Sequence, residues 1–472
     1  MKCSKCSGEE PKNIITGCNT PKVLQIDSKE PPVLFHRVDV PASLGDDVAN
    51  PPVQGKYKNI LLVYEANNHA YLYNSDGIYT FITGQKGDRG TLDFDEIVNR
   101  PMYAGEPMTS ETSIPDIKRF AADSLLRGDI LKNSCAIMNP GSDRETAQRI
   151  GFKWARMSFV WQVCETTPGV IDEEALNGFV YNSELHRQLG INTIALLCYN
   201  NTIYADDVYS GVITQENRDG FVNFCKAVAD KIKGRGVIYS IWNEPNAYFW
   251  DSENKPYYYT QLVKEASKAI KEIDPTAIIA GPEIAGIQYY DNIDDNLAKF
   301  FEDCCKEGLL DYIDVVSYHC YLGKDPEKII EGNSPSNIYL TKSIMSKYTD
   351  RDIPIIITEC GGSTWNDGLT EEEQANGLTR MFLVNHANGV KLSSIYCFKD
   401  LGADPTQRED NYGIVRQDGT YKNSATAIEF MLSLIGECYF KRKEKLLYSN
   451  DYCYIYGDAD SSSNNIMVLW TT

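Results

Sequence analysis

Apolar and polar positions follow two alternating patterns between residues 131 and 430. Short apolar runs, of the length typical of buried strands, are separated by longer stretches in which apolar residues recur every three or four positions. The apolar runs predict strands at residues 153–161, 192–199, 237–242, 277–280, 314–318, 353–358 and 393–398. The longer stretches predict helices at residues 174–189, 217–233, 257–273, 297–306 and 371–388.

This alternation predicts a parallel sheet, because two parallel neighbouring strands need a crossover connection that is usually a helix. A (β/α)8 barrel takes roughly 250 residues or more, so we expect an α/β fold of the TIM barrel type over residues 131–430. Seven strands are clear. The second strand is expected to be the short one, at about residues 164–171.

The N-terminal region, residues 1–120, is rich in turns and prolines and is expected to be β-rich. Two strand-like runs, residues 59–65 and 70–73, are separated by a turn and predict a hairpin. Residues 84–90 contain two collagen-like Gly-x-y triplets, a period that favours a homotrimer. A flexible glycine-rich loop explains the same triplets equally well.

The C-terminal region, residues 431–472, is expected to form a short β segment. Its apolar runs predict strands at residues 452–456 and 466–470. Two strands make no stable sheet alone. They therefore need a partner, either in the N-terminal region or in residues 438–448.

The formal net charge of −20 and the short apolar runs of the chain argue against two kinds of partner, nucleic acids and membranes. A nucleic-acid backbone repels such a surface, so no nucleic-acid partner is expected. No run approaches the ~18 apolar residues that span a membrane, so no membrane partner is expected. The first 30 residues lack the apolar core of a signal peptide, which favours synthesis and folding in the cytosol.

The cysteines are expected to be reduced thiols. Four of the 14 lie in or at the end of apolar runs, where free cysteine behaves as a small hydrophobic residue: Cys198, Cys320, Cys360 and Cys397. Cys3, Cys6, Cys18 and His36 have the chemistry of zinc ligands, but their irregular spacing favours a polar N-terminus. We therefore expect no metal and no other cofactor.

Two glutamates follow directly on predicted strands. Residues 237–242 lead into Asn243 and Glu244, and residues 353–358 lead into Glu359. Barrel enzymes carry their reactive groups where the strands end. Glycosidic cleavage requires two opposed carboxyl groups, one to protonate the leaving oxygen and one to attack or stabilise the anomeric carbon. These residue types at these positions predict a glycoside hydrolase.

The sequence Trp-Asn-Glu-Pro at residues 242–245 resembles the acid/base motif of glycoside hydrolase clan A, and of family 39 and its relatives within it. The resemblance covers most of residues 131–435. In that clan the acid/base closes the fourth strand and the nucleophile closes the seventh. The resemblance thus implies Glu244 as acid/base and Glu359 as nucleophile of a retaining enzyme, with the two carboxyl groups ~5–5.5 Å apart.

Four further positions agree with the clan pattern. The resemblance implies that Arg156, in the first predicted strand, lies near the nucleophile and that Asn243 holds the sugar 2-hydroxyl. Strand six ends in His319-Cys-Tyr321, whose histidine is implied to line the same subsite and whose tyrosine is implied to bond Glu359. The arginine charge and the tyrosine hydroxyl would keep that carboxyl ionised for attack.

The strand-eight ending is similar to that of family 39-like proteins but departs from the clan in one respect. Residues 398–400 are followed by Tyr412-Gly and Asp418-Gly, without the tryptophan platform of many members. Sugars stack on aromatic faces, although such rings at a rim also pack loops. Further substrate-binding candidates near strand ends are Trp161, Tyr199, Asn200, Tyr248, Trp250 and Trp365.

Parts of the N-terminal region resemble bacteriophage fibre proteins, namely residues 40–47, 55–66, 71–77 and 99–108. This resemblance implies that residues 1–120 attach the enzyme to phage virion proteins. The chain would then be assembled in the host cytoplasm and carried on the virion. A free bacterial enzyme in the cytoplasm, with an accessory β domain, is the alternative.

Together these patterns predict a retaining glycoside hydrolase, an O-glycosyl hydrolase that cleaves a surface or extracellular polysaccharide by double displacement. The expected partner is that polysaccharide or an oligosaccharide, and the phage-like segments favour a virion-borne depolymerase. Two alternatives remain: a non-catalytic glycan-binding fibre protein, and a free bacterial glycosidase.

Overall fold

The computed structural model describes residues 130–286, 296–321, 325–327, 337–459 and 465–472, together with six short strands between residues 23 and 83. Eight parallel strands close into a barrel in which each pairs with the next along the chain and the last with the first. They are β1 (Cys135–Met138), β2 (Trp154–Val160), β3 (Asn192–Cys198), β4 (Ile238–Ile241), β5 (Ile278–Ile284), β6 (Val315–His319), β7 (Ile355–Cys360) and β8 (Leu392–Ile395). The predicted TIM barrel is confirmed.

The inside of the barrel changes from apolar to polar along the strands. Each strand contributes one buried residue to an apolar layer, which consists of Ala136, Trp154, Ile194, Ile238, Ala280, Val315, Ile356 and Leu392. Alternate residues of a strand share a face, so the residues two positions further on also point inward. Five of these are polar and fully buried: Arg156, Ser240, Ser317, Thr358 and Ser394. The apolar layer supports a polar one beneath the ends of the strands.

Helices cover the outside of the barrel. They are α1 (Arg144–Ile150), α2 (Glu173–Gln188), α3 (Gln215–Ile232), α4 (Lys255–Ile273), α5 (Asn296–Lys306), α6 (Asn337–Met345), α7 (Glu371–Ala387) and α8 (Asn423–Ile435), with one extra turn at Trp161–Cys164. The five predicted helices are confirmed to within two residues at each end. Thr370 and Glu373 form a capping box at the start of α7. None of the described helices is long and apolar enough to cross a membrane.

The predicted place of the missing strand is wrong. Residues 164–171 form no strand and contain one isolated bridge. The strand that completes the barrel is β1, and the predicted strand at 153–161 is therefore the second. β1 has four residues, all buried, and Asn139 and Pro140 follow it directly. Such a short apolar run carries no periodic signal.

The C-terminal strands form a separate antiparallel sheet of three strands, β9 (Tyr439–Glu444), β10 (Asp451–Gly457) and β11 (Asn465–Thr471). Their partner is thus found within residues 438–448, one of the two expected alternatives. The fully buried Tyr456 joins this sheet to the barrel, because its ring stacks on that of His386 in α7 with centroids 5.7 Å apart.

Of the N-terminal region the structure describes strands only. Ile60–Tyr64 and His69–Tyr73 pair antiparallel, which confirms the predicted hairpin. Other features that the sequence suggested lie outside the described residues, namely the triplets at 84–90, the segment 99–108, Cys3, Cys6, Cys18 and His36.

The described cysteines are all free thiols, as expected, and 10 of these 11 are buried. Burial is the main reason for their weak acidity. It raises the pKa of Cys198 and that of Cys320 to about 12. These thiols behave as small hydrophobic groups within the described part of the chain.

Candidate active site

Glu359 lies near the end of β7, at the rim of the barrel, and is 7% exposed. Nη1 of Arg156 donates to its Oε1 at 2.5 Å, and the hydroxyl of Tyr321 donates to its Oε2 at 2.8 Å. Burial favours the neutral acid, but the charges of His319 and Arg156 and these two hydrogen bonds lower the pKa of Glu359. The group is held as a carboxylate, which is the form that can attack.

Glu244 lies three residues beyond β4, and its side chain is 16% exposed. Trp242 and Glu244 have φ angles of 70° and 47°, in the left-handed region that side chains other than glycine seldom adopt. The backbone N–H of Glu244 donates to the carbonyl of Glu283 at 2.9 Å. The turn of the backbone thus places this carboxyl over the barrel and next to Nδ1 of His319, 2.7 Å from its Oε1.

The spacing of the two glutamates distinguishes two stereochemical mechanisms. One carboxylate oxygen of Glu244 and one of Glu359 lie within 4.8 Å of each other. Retaining glycosidases hold these groups ~5–5.5 Å apart, whereas inverting ones need ~6.5–9.5 Å to admit a water molecule between them. The spacing fits the retaining arrangement.

His319 ends β6 and is surrounded by carboxylates. Its Nδ1 lies 3.4 Å from Oε2 of Glu359, and its Nε2 lies 3.6 Å from Oε2 of Glu283. Burial opposes a charged imidazole, but the negative charges of Glu359, Glu244 and Glu283 outweigh it and raise the pKa of His319 to about 9. His319 is therefore an imidazolium at neutral pH, next to the carboxyl of Glu244.

Asn243 completes the predicted cluster. It is 5% exposed, and its amide oxygen accepts a hydrogen bond from Nη2 of Arg156 at 3.0 Å. Arg156 itself lies in β2, not in the first strand as predicted, two residues beyond the apolar layer. The structure thus brings together all six residues that the motifs suggested: Arg156, Asn243, Glu244, His319, Tyr321 and Glu359.

Glu283 is a third glutamate of the cluster, and the sequence did not suggest it. It lies near the end of β5 and is fully buried. Its Oε2 accepts from the hydroxyl of Thr358 at 2.7 Å and from Nη2 of Arg156 at 3.1 Å. Burial opposes its ionisation, but contacts with His319 and Arg156 lower the pKa of Glu283 to about 2. It is a buried carboxylate at neutral pH.

Two of the candidate aromatic residues, Tyr199 and Tyr248, lie near Glu359 and Glu244. Tyr248 is 68% exposed and lies against Phe249, with ring centroids 3.9 Å apart. Tyr199 is half-buried and stacks on the same phenylalanine at 5.5 Å. Charges of the catalytic cluster, those of Arg156 and Glu359, influence the pKa of Tyr199, which burial raises. Both tyrosines are therefore placed to contact a bound sugar.

The other candidates are less well placed for a substrate. Trp161 is fully buried, donates to Glu165 at 2.6 Å and stacks on Tyr204. Asn200 is fully buried and donates to the carbonyl of Ser210 at 2.8 Å. Both side chains bond residues of the surrounding loops, and neither has an exposed surface that a sugar could contact. Trp250 is likewise fully buried, and Trp365 is half-buried in the loop after β7.

Tyr396 lies directly after β8, two residues before the position at which the clan's tryptophan was expected. The sequence pointed instead to the region of Phe398, which is fully buried. Tyr396 is half-buried, its ring centroid lies 6.5 Å from that of Tyr321, and its hydroxyl donates to Glu409 at 3.4 Å. Tyr412 packs on it at 5.3 Å. Tyr321, Tyr396 and Tyr412 thus form an aromatic group next to Glu359.

The cluster also has to be considered as a cation site, because ligand atoms of Glu244, His319 and Glu359 lie within 4.8 Å of one another. Both oxygens of Glu359 already accept hydrogen bonds, one of them from an arginine. A protonated imidazole offers no lone pair at the site. Two cationic groups of the chain, Arg156 and His319, already contact the carboxylates of the cluster.

A closed (β/α)8 barrel with this carboxylate pair at the ends of β4 and β7 defines the class: a retaining glycoside hydrolase of clan A. Residues 134–396 match the family described as cellulase (glycosyl hydrolase family 5). Since this match covers more than half of the chain, the chain belongs to that family.

Among solved structures, a family 39 glycoside hydrolase from Bacteroides cellulosilyticus WH2 is similar with a TM-score of 0.59 and 22% identity, covering 73% of this chain and 71% of that one. The GH39 enzyme from Xanthomonas axonopodis pv. citri gives 0.51 and 16% identity, with coverage of 69% and 71%. At such identities they show the shared fold. A β-xylosidase from Geobacillus stearothermophilus is 33% identical over 95 residues, which are 20% of this chain and 17% of that relative.

Proposed function

We propose that Glu359 is the nucleophile and Glu244 the acid/base of this glycosidase, and that its substrates are β-linked sugars of a surface or extracellular polysaccharide. The observation that carries this proposal is the pair of glutamates within 4.8 Å, one of them held ionised by Arg156 and Tyr321. The likeness to a β-xylosidase over part of the chain supports the choice of β-linked sugars.

In the first step, an oxygen of Glu359 attacks the anomeric carbon while the bond from that carbon to the leaving oxygen breaks. The leaving oxygen takes the proton of Glu244 and departs as an alcohol. Asn243, which Arg156 fixes by a hydrogen bond of 3.0 Å, is placed to bond the sugar 2-hydroxyl. Bonds to that hydroxyl strengthen as the transition state forms.

In the second step, water attacks the anomeric carbon of the glycosyl-enzyme. Glu244, now a carboxylate, takes a proton from that water, and the bond to Glu359 breaks to restore the free carboxylate. Two inversions give net retention. His319 lies 2.7 Å from Glu244, the carboxyl that gives up the proton in the first step and takes one in the second.

Glu359→Gln tests the proposal. We expect the rate of aryl β-glycoside hydrolysis to fall on the order of 10⁴-fold, because an amide is a poor nucleophile, while the affinity for the glycan is kept. Glu165→Gln is the matched control, since Glu165 is also fully buried but bonds Trp161 and Tyr204 away from the cluster. Undiminished hydrolysis by the Glu359 variant would overturn the assignment.

Glu244→Gln separates the two roles. Loss of a general acid costs ~10²–10⁴-fold, and the loss should be large for an alkyl leaving group and small for a nitrophenyl one, which departs without a proton. Equal losses for both leaving groups would contradict the acid role. Glycan binding without any hydrolysis by the wild-type protein would favour the alternative, a non-catalytic glycan-binding protein.

We also propose that the N-terminal region, residues 1–120, attaches the enzyme to a phage particle as a homotrimer. The fibre-like segments and the Gly-x-y triplets support this setting. The mass of the intact chain in solution tests the trimer, and a monomer would refute it. Release of oligosaccharides from capsular polysaccharides, against none from plant polysaccharides, tests the substrate.

A further inference from the structure

Glu283 contacts the partners of both catalytic glutamates. Nη2 of Arg156 lies 3.1 Å from its Oε2, and the same guanidinium binds Glu359 through Nη1. Nε2 of His319 lies 3.6 Å from that Oε2, and the same imidazole meets Glu244 through Nδ1. The fully buried carboxylate of Glu283 thus contacts both Arg156, which binds Glu359, and His319, which lies next to Glu244.

We propose that Glu283 is a positioning residue of the reaction, which holds Arg156 against the nucleophile and holds His319 in its protonated form next to the acid/base. This proposal rests on the proposed roles of Glu359 and Glu244. Glu283 itself is fully buried beneath both and makes no contact with the cleft surface.

The position of Glu283 is determined by several bonds. The hydroxyl of Thr358 in β7 donates to Oε2 of Glu283 at 2.7 Å. The backbone N–H of Glu283 donates to Oγ of Ser317 in β6 at 3.3 Å. Its carbonyl accepts from the N–H of Glu244 at 2.9 Å. Its other oxygen, Oε1, has no hydrogen-bond partner among the described residues. A buried carboxylate that is only partly satisfied costs stability, so its presence calls for a functional reason.

The charges show why a carboxylate is needed there. The titratable groups that face Glu283 are Arg156, His319 and Tyr259. Arg156 in turn contacts Glu359, and His319 contacts Glu244. While Glu244 holds a proton, two negative charges, those of Glu283 and Glu359, balance the guanidinium and the imidazolium. An uncharged residue at 283 leaves two positive charges against one negative charge. The imidazolium then loses its proton more easily.

Glu283→Gln tests this inference, since the amide keeps the shape and removes the charge. We expect the alkaline limb of the kcat/KM profile to move about one pH unit or more toward lower pH. We also expect kcat to fall ~10- to 100-fold with KM nearly unchanged. The NMR titration of the His319 ring, one of 5 histidines in the chain, should move in the same direction. Glu165→Gln is the matched buried control, and in it the alkaline limb of kcat/KM and the titration of His319 should both keep their wild-type positions.

The inference would be overturned if Glu283→Gln moved neither the alkaline limb of kcat/KM nor the NMR titration of His319, even if this variant were less stable than the wild type. Glu283→Asp is the second variant in case the amide prevents folding. It keeps the charge but shortens the reach, so kcat should fall about tenfold with the alkaline limb in place, and wild-type kcat would overturn the inference. If Glu359→Gln stays active, the proposed function fails; if it is inactive while Glu283→Gln keeps its pH profile, only this inference fails.

Discussion

The protonation of His319 should make the stability of the protein depend on pH. The pKa of this buried imidazole is about 9, above the ordinary value of 6.5, because the carboxylates around it outweigh the effect of burial. A group whose pKa is higher in the folded state stabilises the fold fully below the unfolded value. That stabilisation is lost as the pH rises toward and through the folded value.

The size of the effect follows from the two values. Each pH unit between them corresponds to about 1.4 kcal/mol, so the full difference from 6.5 to about 9 corresponds to about 3 kcal/mol. About 2 kcal/mol of this is lost between about pH 6 and about pH 8. The buried thiols add a loss of their own toward pH 8, because cysteine in an unfolded chain already begins to ionise below its pKa of ~8.5; a comparison with a variant that lacks only His319 removes this contribution.

Urea unfolding at the two pH values, for the wild type and for His319→Gln, measures this loss. The free energy of unfolding should fall about 2 kcal/mol more in the wild type than in the variant. His186, whose burial lowers its pKa, contributes with the opposite sign but equally in both proteins, so the difference removes it. Equal pH dependence in the two proteins would refute a protonated His319.

Two further changes test the surroundings of the nucleophile and the cleft. Tyr321→Phe removes the 2.8 Å hydrogen bond to Glu359, so its pKa should rise, the acid limb of kcat/KM should move to higher pH and kcat should fall about tenfold; an unmoved acid limb would contradict this. Tyr248→Ala should raise KM severalfold and change stability by no more than ~0.5 kcal/mol, because the ring is 68% exposed; an unchanged KM would remove Tyr248 from the substrate cleft.

Hydrophobic patterning was sufficient for most of the barrel but not for its first strand. Long amphipathic helices such as α7 and apolar strands such as β3 carry many residues in period, so their positions were clear. Four residues at Cys135–Met138 carry no period. Only closure of the barrel, which needs a neighbour for both β8 and β2, identifies them as a strand.

The site residues that directly follow a predicted strand were found from the sequence. Glu283 was missed, because it lies inside a strand whose sequence contains a glycine and a proline. Gly281 and Pro282 made the fifth strand seem to end at Ala280, because proline is rarely tolerated inside a sheet. The strand continues to Ile284 and includes Glu283. No sequence pattern shows that Trp161 turns its ring into the core, since burial is decided by distant contacts such as that with Tyr204.

The chain enters and leaves the barrel at neighbouring points. Ile130 pairs with Tyr439, and the N–H of Leu131 donates to the carbonyl of Cys438 at 3.1 Å. Ile130 and Leu131 precede β1, whereas Glu244 and Glu359 lie at the opposite ends of the strands. The point at which the chain enters the barrel and the two glutamates are therefore separated by the height of the barrel. A tether joined at Ile130 would leave both glutamates on the face that is turned away from it.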